Sequence, residues 1–168
     1  MYKESLAGVR ASTTYRQFEV DVDPYQIPKD PSSGLLYGVS EERFGQPGDG
    51  DRHLQSFSYR VPLTDRADNR VPFSKPEGYD PSHYELHRRY HKAGGNLFTP
   101  TKRLPNDKTD LIGSEAALAT DLLGMNDGWA AGTESERQRI LEDTTRFTKG
   151  LFYFFATDES LPVIILYS

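Results

Sequence analysis

The sequence predicts an α+β fold, a loop-rich fragment with a few antiparallel strands and two main helices, at about 81–93 and 134–157. Three observations carry this. Two helix-start signatures stand far apart in the chain, at Asp80-Pro81 and at Thr133. One stretch, 53–64, alternates with the two-residue period of a strand. Elsewhere, 14 Gly and 11 Pro punctuate the chain too often for another long element.

Taken in order, residues 5–22 read as a weak extended region in which Val20 and Val22 alternate with Asp21 and Asp23. Asp23-Pro24, Ile27-Pro28, Asp30-Pro31 and Ser32-Ser33-Gly34 then rule out both a long helix and a central strand. Residues 45–51 form a second loop. In 53–64 the face bearing Phe57, Tyr59, Val61 and Leu63 is expected to pack inward, with Pro62 marking an edge or a strand exit. A turn over 64–69 follows, and Val71-Pro72-Phe73 resumes extended chain.

Asp80 is suited to cap a helix whose first position is Pro81, and Gly94-Gly95 stop it. Tyr84, Leu86 and Tyr90 are its large apolar contacts. Thr133 and Glu136 form a capping box for the second helix. Along one side of it run Ile140, Leu141, Thr144, Phe147, Leu151, Phe154 and Phe155, and Gly150 weakens its middle by about 1 kcal/mol relative to Ala. Residues 96–132 look mostly irregular.

With 168 residues the chain is about one domain. Its apolar share of 36% is low for that length, but 10 Tyr and 9 Phe argue against disorder. A net charge of −5 offers no basic stripe, which argues against nucleic-acid partners. The absence of cysteine excludes disulfides, Cys-ligated zinc, iron–sulfur clusters and thiol nucleophiles from this chain. No run approaches about 18 apolar residues, and the opening ten residues lack the apolar centre of a secretory signal, so a soluble chain without a membrane partner is expected. The most apolar stretch is 161–167.

His83, His87 and His91 recur at helical spacing, a metal-binding geometry, but without the glutamate of a metalloprotease signature; a solvated His-rich face is the expectation, and no metal. Gly45, Gly48 and Gly50 suggest a phosphate loop, which Pro47, Asp49 and Asp51 oppose; a surface turn is expected. Lys108-Thr109-Asp110 and Thr120-Asp121 fit either turn and cap chemistry or a ligand-facing loop. Trp129 reads as a packing anchor. No G-x-S-x-G and no G-x-G-x-x-G occurs.

Several runs stand in a recognisable order: Asp30 to Leu36, Gly48 to Asp51, Gln55 to Arg60, Leu63 to Asp65, Asn69 to Pro81 and Tyr84 to Tyr90. They continue in Leu104 to Asp110, Ser114, Thr120-Asp121, Gly124 to Asn126 and Lys149 to Leu151. Together they resemble the middle section of a family of FAD-dependent oxidoreductases described as xanthan-lyase-like, distantly similar to the flavoprotein component of heterodisulfide reductase. His87 stands where relatives tend to carry an apolar residue. The resemblance implies that residues 1–168 are a single partial domain, the substrate-side segment of a flavoprotein, without the Rossmann FAD-binding unit. FAD would be the cofactor of the full-length family and would not be held by this chain alone. The expected partners are a small-molecule substrate and the missing FAD domain. The resemblance makes Tyr59, Arg60, Lys108, Asp110 and Asn126 the substrate-pocket candidates, with no catalytic or cofactor-binding residue assigned. A free-standing binding or interaction module, or a non-functional truncated product, are the alternatives.

Overall fold

The second helix organises the molecule because its sequence changes character halfway. In this computed structural model, which describes residues 17–43, 45–50, 52–64, 66–97, 102–111 and 116–161, α2 spans Glu134–Thr157 without interruption. Thr133 and Glu136 close the expected capping box. The first half buries only Ile140 and Thr144, and Leu141 is exposed, contrary to its expected place on the buried side. From Phe147 to Phe155 burial runs nearly all round: Phe147, Thr148, Gly150, Leu151, Phe152, Phe154 and Phe155. A helix apolar on all sides must be wrapped by other elements, and the rest of the chain does so.

Asp80 caps the first helical segment by accepting from the Ser82 N–H at 2.8 Å. Pro81–Tyr84 form a single 3-10 turn, which continues into α1, Glu85–Lys92. Gly94 takes φ +95°, and a side chain on Gly95 would overlap the Tyr90 ring, so both glycines are required at this stop. Tyr84 stacks on Phe147, Phe154 and Tyr79 with ring centroids 5.3–5.6 Å apart. Its hydroxyl donates to the Phe147 carbonyl at 3.0 Å. Gly150 supplies the room: a Cβ there would overlap that hydroxyl. The glycine that weakens the helix locally is what lets the two segments interlock, and α2 does not break at it.

His87 corrects the expectation of a solvated histidine face. It is 4% exposed and lies between Tyr84 and Tyr90, each three residues away and buried. Its ring meets Phe147 and Phe155. Burial pushes its pKa down to about 4, so the imidazole is neutral at physiological pH. Among the described residues no group of metal-ligating side chains is assembled.

Three short strands form an antiparallel sheet in the order β1-β3-β2: β1 Val61–Thr64, β2 Lys102–Leu104 and β3 Lys108–Leu111. Residues 96–132 are mostly irregular as expected, and the β2–β3 hairpin is the regular element among the described residues there. Its turn follows Pro105 with Asn106 and Asp107 at φ 62° and 57°, the left-handed region these two residues tolerate best. Leu63 and Leu111 carry the sheet into the aromatic core. The expected strand 53–64 forms its ladder only over 61–64, and its earlier part is extended without one. There Phe57 and Tyr59 are 45% and 38% exposed, so the face expected inward points out.

Arg89 folds the proline-rich loop onto α1. Its guanidinium donates to the carbonyls of Asp23, Tyr25 and Gln26, and also to Glu85. The turn expected at 45–51 is present, with Asp49 N–H donating to the Gln46 carbonyl. Val20 and Val22 pack against the core and Leu161 is buried. Residues 5–16 of the expected extended region, Asp51, Asp65, Ser114 and the rest of the apolar run after Leu161 lie outside the described residues. No helix among the described residues is long and apolar enough to cross a membrane.

The core generates two stability predictions. Helix propensity favours Gly150→Ala by about 1 kcal/mol, but the overlap with Tyr84 reverses the sign. Urea unfolding should show a net loss of about 1–3 kcal/mol, and a stabilised variant would refute the interlock. For His87 the folded-state pKa lies below the unfolded one, so the unfolded chain binds the extra proton and stability falls with acidification. That dependence amounts to about 3 kcal/mol between about pH 7 and about pH 4, and His87→Leu should remove it from a pH series of melts.

Candidate functional site

The sheet and α2 divide the five candidate residues between them. Tyr59 and Arg60 immediately precede β1, and neighbouring residues of an extended chain project to opposite sides. Arg60 turns to the sheet, where its Nε lies 3.2 Å from Asp110 Oδ2 on β3. Asp110 is buried and its partner's guanidinium is largely exposed, so the pair has one end in the fold and the other at the surface. Lys108, half-buried, lies two residues before Asp110 on the same face of β3. Arg60 and Asp110 thus come together, with Lys108 on the same face of β3.

Tyr59 turns the other way. Its hydroxyl is 2.6 Å from Thr145 Oγ1 on α2, and that threonine hydroxyl is also bonded to the Leu141 carbonyl. Phe57, on the same side of the segment as Tyr59, meets Trp129 edge to face at 6.0 Å. Trp129 is therefore a packing contact, as its type suggested. Phe57 and Tyr59 on the segment and Leu141 on α2 are each exposed.

Asn126 is turned into the fold. It is 2% exposed, and both ends of its amide are used internally: Oδ1 accepts the Phe57 N–H at 2.7 Å, and Nδ2 donates to Thr144 Oγ1 at 3.4 Å. A buried amide with an apolar surround must satisfy donors and acceptors this way, and here that fixes the extended segment to α2. Asp127 continues the attachment, accepting the Leu54 N–H at 2.9 Å, and Ser56 Oγ donates to the Leu122 carbonyl. Groups of the 122–127 loop thus replace the missing ladder partner of 53–60.

Sequence reasoning missed His53. It stands between two carboxylates, with Nδ1 2.6 Å from Asp127 Oδ2 and Nε2 3.1 Å from Glu42 Oε2. The hydrogen bond to Asp127, then the charge of Asp127 and of Glu42, hold its pKa above the ordinary histidine value. The three residues are 74 and 11 positions apart in pairs, with no local spacing to reveal them.

A Rossmann-type FAD cradle has strand, Gly-rich turn and helix N-terminus in direct succession. Every strand pairing among the described residues is antiparallel, and neither helix begins directly behind a strand. No Rossmann-type cradle is therefore formed among the described residues. No family model, curated protein or solved structure matches the chain.

Asn126→Ala should leave the Phe57 N–H without its acceptor and cost about 1–3 kcal/mol. Hydrogen exchange at the Phe57 amide should accelerate more than at Leu111; equal acceleration would mean that Asn126 acts on the whole fold instead.

Proposed function

We propose that this chain is the substrate-side segment of an FAD-dependent oxidoreductase, inactive in turnover alone and completed by a unit that holds the flavin. The observation that carries the reading is the exposure of Phe57, Tyr59 and Leu141 on one side of a segment whose other side carries the Arg60–Asp110 pair. This chain buries a dense set of aromatic rings around α2, yet leaves these large side chains outside. Large apolar side chains left exposed in this way are what a neighbouring domain covers. The ordered motifs from Asn69 to Pro81 support the choice of family.

In this reading Tyr59 presents a hydroxyl beside these exposed side chains. Arg60 and Lys108 supply positive charge for an anionic group of the substrate, and Asp110 orients the Arg60 guanidinium. Asn126 positions the segment from behind and touches no substrate. A second reading is a binding module, favoured by an aromatic core that the described residues themselves close, including the Tyr84–Phe147 hydrogen bond.

The test has two arms. The chain is mixed with FAD, desalted, and its visible spectrum recorded beside near-UV circular dichroism. It should show sharp aromatic signals and no flavin band; a retained band would overturn the segment reading. The chain is then purified with its native partner. A co-migrating flavin band that disappears in Phe57→Ser/Tyr59→Ser supports the flavoenzyme, and a complex without flavin supports the module.

A further inference from the structure

We infer that Glu42, His53 and Asp127 form a pH-dependent clasp, which ties the loop at 40–43 to the extended segment and the 122–127 loop in acid and releases it in base. The geometry requires this. Both ring nitrogens of His53 face carboxylate oxygens, at 2.6 Å and 3.1 Å, and only an imidazolium has a proton for each. A neutral ring must turn a lone pair on one of them.

The two sides are not equivalent. Asp127 is the closer and the more buried carboxylate, and its other oxygen already accepts the Leu54 N–H. Glu42 is more than half exposed, on a loop whose local tie is its own N–H bonded to Ser40 Oγ. On deprotonation the remaining proton stays on Nδ1, facing Asp127, and the Nε2 lone pair confronts Glu42. Lone pair and carboxylate repel, and the loop is the part free to move. Among the described residues, the charged groups that raise the ring's affinity for its proton are Glu42 from the loop and Asp127 from the other side. Because the folded-state value lies above the unfolded one, the clasp is fully closed below the unfolded pKa and is lost as pH rises through the folded one.

The chain has no cysteine, so Glu41→Cys gives a unique attachment for a spin label on the exposed loop. Its mobile population should rise about threefold to fivefold between about pH 6 and about pH 9, the size of effect an exposed pair supports. Adding Glu42→Gln should abolish the rise, because an amide accepts from the imidazolium and donates to the neutral ring. Imidazole nitrogen shifts of His53 should place the retained proton on Nδ1. A label insensitive to pH, or an equal rise with Glu42→Gln, overturns the clasp.

Discussion

The rest of the structure depends on the interlock between Tyr84 and α2. One ring stacks on three others, and its hydroxyl donates to a helix carbonyl through the gap left by Gly150. Aromatic pairs contribute about 0.5–1.5 kcal/mol each beyond their burial, so three on one residue concentrate cohesion at this contact. Everything else is attached to the two helices this contact joins. Arg88 bridges Asp158 at the end of α2 and Glu85 on α1, and its guanidinium lies over Phe154.

Away from that contact, side chains do what backbone ladders do in a more regular fold. Arg89 gathers three loop carbonyls, Asp23 accepts the N–H groups of Tyr25 and Lys29, and Asn126 and Asp127 receive the extended segment. This explains how a chain with few apolar residues and many prolines keeps defined loops: their backbone groups bond to side chains where no ladder runs beside them. It also explains why Phe57 and Tyr59 can stay exposed. The polar atoms of the segment 53–60 are turned inward to the loop, and its large side chains are left facing out.

Both helices were legible because caps and stops are local. Asp80-Pro81, Gly94-Gly95 and the Thr133–Glu136 box each act within four residues. The β2–β3 hairpin escaped because strands of three and four residues show no period, although Pro105-Asn106-Asp107 was a turn signal. The alternation in 53–60 marks extended chain but not its direction, since the side from which a loop approaches is not encoded by period. His87 illustrates a rule about spacing: i±3 neighbours share its face, and both are buried tyrosines. Of the candidate site, the convergence of Arg60 with Asp110 was anticipated only as a shared pocket, and Asn126 proved to be a strut. His53 had no local signal at all.

The burial of Tyr84 reaches into optics. Desolvation pushes its hydroxyl well above the usual tyrosine range, with Tyr79 and Tyr37 adding to the effect. The chain has ten tyrosines, and in alkali the exposed ones convert to the strongly absorbing phenolate where they stand. Ionising Tyr84 removes the proton its hydroxyl donates to the Phe147 carbonyl, so its late step in an ultraviolet titration is coupled to the breaking of that contact with α2. This chain thus carries an intrinsic chromophore that reports whether its two helices are still locked together.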